Sequence, residues 1–152
     1  RDLHLSIRRQ RQMCIRDSKD ASNQTLSKSL SSLWNCHSAV KNQGLVILLA
    51  ECLNGLGSES LQQFIDGRLS IEKIKNASQY IDGMENLLYL NELQKKFQIG
   101  LVSILPEAYI KKFDIIPFDA VKKGMDYILK NQGMRQKVQI IEDGARTILK
   151  KE

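Results

Sequence analysis

The chain has 152 residues, of which 42% are apolar and 26% charged, proportions that suit one globular domain with a core of its own. Its longest apolar run, Leu45 to Ala50, falls far short of the ~18 residues that span a bilayer, and residues 1–18 lack the apolar centre of a signal peptide. No transmembrane helix is expected, and a cytoplasmic protein with no membrane partner is expected. The net charge of +6 is divided between a short start and a long remainder. Residues 1–18 hold five Arg against Asp2 and Asp17, and the other 134 residues hold 18 bases and 15 acids. The remainder is only mildly basic and its lysine pairs are scattered, so a solvated surface is expected rather than a nucleic-acid stripe. Cys14, Cys36 and Cys52 form no CxxC pair and are odd in number, the pattern of free thiols in a reducing compartment.

The first 18 residues match neither helix nor strand, because their arginines fall on every side of any helix drawn through them. The stretch RQRQMCIRDS closely resembles a peptide translated from sequencing-adapter DNA. Residues 1–18 are therefore read as a disordered tail foreign to the natural protein, and residues 19–152 as a domain whose natural amino-terminal part is missing. The alternative for the tail is a basic arm that binds nucleic acid or an anionic surface.

From residue 19 the elements alternate. Leu26, Leu30, Leu33 and Cys36 or His37 follow helical spacing, with Val40 one turn on. Asp20, Ser22 or Asn23 could cap that helix, and Gly44 suits a left-handed position beyond its end. Leu45–Ala50 reads as a buried strand. SESLQQFIDG is a helix capped by Ser58, and SIEKIKNASQYI another capped by Ser70, with Ile71, Ile74 and Ala77 inward. GMENLLYLNELQKKF carries a wide apolar stripe through Met84, Leu87, Leu88, Leu90 or Asn91, and Leu93.

IGLVSIL is a second buried strand, and Pro106 opens a short helix. DIIPF is extended, with Pro117 placing it at an edge or in a turn. DAVKKGMDYILKNQG is a helix capped by Asp119 with Val121, Met125, Ile128 and Leu129 inside, and KVQIIED is a third full strand. Alternating helices and apolar strands predict an α/β fold: a small three-layer Rossmann-like domain with a mostly parallel sheet.

The loop Glu51–Ser60 holds Gly55 and Gly57 but has Ser60 where a dinucleotide fingerprint needs a third glycine. No Walker motif is present. The loop reads as a plain turn or as one that faces a ligand cleft at the carboxyl edge of the sheet. His37 is read as a partly buried helix residue, Cys52 as a buried thiol and Trp34 as core. One histidine in the folded part makes no metal cluster.

SAVKNQGLVILLAECLNGLGSESLQQFI, then IGLVSILPEAYIKKFDIIPFDAVKKGMDYIL, then KVQIIEDGART, in that order and spacing, resemble the carboxy-terminal domain of the lactate racemase (LarA-like) family over about residues 19–149. The resemblance implies an isomerase that inverts the stereocentre of a 2-hydroxy acid by hydride transfer to and from a nickel-pincer nucleotide. It implies that the cofactor, its covalent lysine, its nickel-binding histidine and the acid-base histidines belong to the chain's own amino-terminal catalytic domain, which is absent here, so that this part alone is inactive and holds no metal or cofactor. The carboxy-terminal domain closes the cleft over the substrate.

The family's substrate-contacting Tyr-Gln-x-x-Lys falls on Gln24, Thr25 and Lys28, of which only Lys28 matches. A lysine suits a substrate carboxylate in a closed cleft. A tryptophan expected near Met84 or Glu85 is missing, and a final glycine pair is replaced by Asp143-Gly144-Ala145-Arg146. These departures point to a hydroxy acid other than lactate. The competing reading is a non-catalytic α/β ligand-binding or regulatory module.

Overall fold

A computed structural model of the chain describes residues 10–16, 24–132, 137–144 and 146–149. Its elements are β1 (Gln10–Arg16), α1 (Leu26–Ser29), α2 (Ser31–Cys36) with a 3-10 turn at His37–Ala39, β2 (Leu45–Leu49), α3 (Glu59–Ile65), α4 (Ile71–Lys75), α5 (Met84–Gln94), β3 (Gln98–Val102), α6 (Glu107–Lys112), β4 (Ile116–Phe118), α7 (Val121–Gln132) and β5 (Lys137–Ile141). The described strands form one sheet in the order β4-β3-β2-β1-β5, and every ladder is parallel.

Handedness explains the layers. The chain steps outward from β1 to β4 in one direction, so its right-handed crossovers leave α1–α6 on one face. It then returns past β1 to β5 in the other direction, and the same handedness puts α7 on the opposite face. The result is the three-layer Rossmann-like α/β domain that the alternation of elements predicts.

β2 serves both faces because strand side chains alternate. Val46 and Leu48 enter the large core with Leu26, Leu30, Leu33, Leu61, Leu87 and Leu101. Leu45 and Ile47 enter a smaller cluster with Phe118 and Ile128 beneath α7. Two glycines make that smaller seam possible. A Cβ on Gly100 would stand 2.6 Å from Phe118 Cε2, and one on Gly124 would stand 3.0 Å from Ile47 Cδ1. Phe118 therefore lies over β3, and α7 approaches β2 along its bare position.

Several local expectations change. The largest concerns the start of the chain. Gln10–Arg16, expected to be disordered, form an inner strand, with Gln12–Arg16 in register with Leu45–Leu49 on one side and Gln12–Ile15 with Val138–Ile141 on the other. A parallel ladder is satisfied by main-chain groups whatever the side chains. Residues 1–9, and the expected caps Asp20, Ser22 and Asn23, lie outside the described residues. The cap of α1 is Thr25, whose Oγ1 accepts from the Lys28 amide.

α4 stops at Lys75, short of Ala77 and Ile81: the Ala77 amide turns to the Ile74 carbonyl three residues back, which tightens and ends the helix. Ser70 caps that helix as its position suggests. Gln43, not Gly44, takes the left-handed conformation before β2. On α7 the inward residues are Gly124 and Ile128, with Met125 half-buried. Val121 and Leu129 are 48% and 47% exposed, the first in the opening turn and the second ~100° around the helix from Ile128. Trp34 lies at the surface with its ring edge-on to Tyr89, because Leu30 and Leu33 take the inward side of α2. Among the described residues no helix is long and apolar enough to cross a membrane.

Candidate functional site

In an open parallel sheet, ligands approach the carboxyl ends of the strands. Here that edge is built from the first turn of α1, the loop after β2 and the loop after β3. The glycine-bearing loop reaches α1 through main-chain bonds. The Leu26 amide donates to Gly55 O at 3.0 Å, the Ser27 amide to Leu56 O at 2.9 Å, and the Asn54 amide to Gln24 O at 2.7 Å. The amides at the start of α1 have no intrahelical partner, and these loop carbonyls supply two of them.

This assigns the two glycines a mechanical role. Cys52, Gly55 and Gly57 all have positive φ, which turns the chain back on itself. A Cβ on Gly57 would fall inside the Thr25 side chain, and one on Gly83 inside that of Ser58. Thr25, which caps α1, and Ser58, which holds the N-cap position of α3 without the expected capping bond, therefore each rest on a bare glycine. Within the loop the Gly55 amide donates to Cys52 O and the Ser60 amide to Asp82 O, so both are spent on protein acceptors.

The three residues singled out as substrate contacts stand together on this edge but differ in what they are free to do. Thr25 is half-buried and committed as the cap of α1. The Gln24 carboxamide oxygen accepts from Asn54 Nδ2 at 3.3 Å. Lys28 is exposed, opposite the buried Leu26, Leu30 and Leu33, and its ammonium makes no ion pair among the described residues. Beside them, Leu53 and Ile104 stand 64% and 66% exposed on neighbouring loops that are joined by the bond from the Ile104 amide to Glu51 O.

Other chemistry lies elsewhere. His37 Nδ1 is 2.8 Å from Trp34 O and 2.9 Å from Tyr89 Oη, on the outer helix layer. Burial holds the Tyr89 hydroxyl above its ordinary pKa. Cys36 is buried, donates to Thr147 O, and has its pKa pushed up to about 11 by that burial, which makes it a poor nucleophile. At the amino edge, Phe64 and Phe113 stack beside Gln94 and Lys112. There Gln94 Nε2 donates to Phe113 O and Asp114 O, and Lys112 Nζ donates to Ile65 O, so their donors are occupied in holding turns. Among the described residues no three His, Cys, Asp or Glu side chains come together to hold a metal; this donor set does not fit a nickel centre.

No protein-family model matches the chain, and no curated protein matches its sequence. Its fold is similar to that of the lactate racemase apoprotein of Thermoanaerobacterium thermosaccharolyticum, with a TM-score of 0.77 at 16% sequence identity. The chain has the fold of part of that racemase. The likeness covers 93% of this chain and 35% of the racemase, so the chain spans about a third of the racemase's length. At 16% identity it is a likeness of backbone, and the roles of individual side chains rest on their own geometry.

Two residues that the sequence pattern does not single out stand beside Lys28 on this edge: Asn54, which holds Gln24, and Asn86, whose Nδ2 donates to Ser27 Oγ at 2.9 Å. For Asn86 a signal existed: it is an amide set against the leucine stripe of α5.

Proposed function

We propose that this chain is the substrate-closing part of a 2-hydroxyacid racemase or epimerase, an isomerase of the lactate racemase kind. The observation that carries the reading is the placement of an exposed lysine, Lys28, with no ion pair among the described residues, on the carboxyl edge of a domain that shares its fold with part of a lactate racemase. The Lys28 ammonium would pair with the carboxylate of a small 2-hydroxy acid. The exposed Leu53 and Ile104 give the same edge an apolar rim, as expected of a surface that a second domain covers. That second domain, the chain's own amino-terminal catalytic part, would hold the nickel-pincer nucleotide, which supplies hydride transfer when bound. This chain's residues bind and enclose the substrate.

The test is Lys28→Ala in the full-length enzyme, assayed against a panel of 2-hydroxy acids. A charge-assisted bond to a carboxylate contributes about 1.5–3 kcal/mol, so binding or turnover falls roughly 10- to 150-fold. The melting temperature stays put, because removing an exposed lysine changes stability by roughly half a kcal/mol at most. Lys28→Arg recovers part of the loss. Unchanged kinetics in the alanine variant would remove Lys28 from the site.

A further inference from the structure

Among the described residues the buried polar side chains are Ser29, Ser32, Ser60 and Asn86. Asn86 differs from the serines in kind. Its companions on the inward side of α5 are Leu87, Leu90 and Leu93, and a leucine would fill its place without leaving polar atoms to satisfy. An amide retained in such a stripe specifies one arrangement of its neighbours over others. Its Nδ2 reaches across 59 residues of sequence to Ser27 Oγ, the side chain next to Lys28. α1 has four residues, too few to hold a helical turn unaided. The β2 loop ties down its main chain at one end, and Asn86 ties down its side.

We propose that Asn86 is a positioning residue for Lys28: by holding Ser27 it fixes the turn of α1 that carries the ammonium at the sheet edge. The inference rests on the reading of Lys28 as the carboxylate contact, and it adds the residue that keeps that contact in place. It predicts that the bond matters to the order of residues 27–29 and to carboxylate affinity, and little to the stability of the domain.

The experiment uses the full chain with Asn86→Leu, Ser27→Ala and the double variant. Hydrogen exchange is read at the amides of Ser27, Lys28 and Ser29, and glycolate is titrated while the Lys28 amide resonance is followed. In Asn86→Leu, exchange at the three amides rises about tenfold and glycolate binds roughly fivefold more weakly, while protection at Leu90 and Leu93 and the melting temperature are kept. Ser27→Ala gives the same changes, and the double variant is no worse than either single one, because both remove one bond. Unchanged exchange at residues 27–29, loss of protection spread through α5, or additive effects of the two substitutions would each overturn the proposal. If Lys28→Ala in the full-length enzyme leaves the kinetics unchanged, the carboxylate reading fails, and exchange at residues 27–29 still decides whether Asn86 holds the turn.

Discussion

The two faces of the sheet are unequal. On one, six helices bury Val46, Leu48, Ile99 and Leu101 in a continuous core that extends to Ile141 on the far strand. On the other, α7 is the one helix among the described residues that covers Leu45, Ile47 and Phe118, and Ile140 at the β5 end stands 67% exposed. The thick face is fastened by leucines and the thin face by glycines that let α7 and Phe118 approach. A substitution on the thick face should therefore open a cavity, and one on the thin face should force a shift.

Removing residues 1–16 tests the comparison most severely, since β1 is paired on both sides, with β2 and with β5. We expect loss of the cooperative thermal transition, because ladders on β2 and β5 vanish together and domain stabilities are only about 5–15 kcal/mol. A melting temperature unchanged to within a degree would show that β2 and β5 hold without β1.

Next in size is the pair Leu48→Ala and Ile47→Ala, adjacent residues on opposite faces. Leu48→Ala should cost about 3–5 kcal/mol, and Ile47→Ala about 2–3, because a single helix collapses onto a void more easily than six packed elements do. Urea unfolding of both variants decides it, and equal losses would make the faces mechanically alike.

The glycines sharpen the contrast within the thin face. Gly100→Ala should cost about 1–3 kcal/mol by driving a methyl into the Phe118 ring. Gly124→Ala should fall within about 1 kcal/mol of wild type, since helix propensity gains about 1 kcal/mol while one flexible Ile47 methyl gives way. Thermal denaturation of the two variants reads the difference.

The effect smallest at neutral pH concerns Cys36 on the thick face, since it appears only as the pH rises past the ordinary thiol range. Burial raises its folded pKa to about 11, above that of an unfolded thiol. The folded state thus keeps the proton longer, its contribution is complete below the unfolded pKa near ~8.5–9, and stability declines as pH rises from there to about 11. Cys36→Ser should flatten that decline in urea midpoints measured between these pH values.

Much of this protein was legible in its sequence. Helical spacing of Leu26, Leu30 and Leu33, of Leu87, Leu90 and Leu93, and the run Leu45–Leu49 determined where helices and strands form, because periodicity is a property of neighbouring residues. Alternation of those elements determined a parallel, three-layer sheet through the handedness of crossovers, and the composition of DIIPF placed it at an edge or in a turn. Lys28 was legible as an exposed lysine from its angle to the leucines. Tertiary structure alone decided that Gln10–Arg16 fill an inner strand position, that Gly124 and not Val121 faces the sheet, and that Trp34 lies outside. It also decided that Thr25 caps α1 against Gly57, and that Asn86 meets Ser27. These are contacts between residues far apart in the chain. Their partners are chosen by which elements the crossovers bring together, and no local pattern of charge or hydropathy carries that choice.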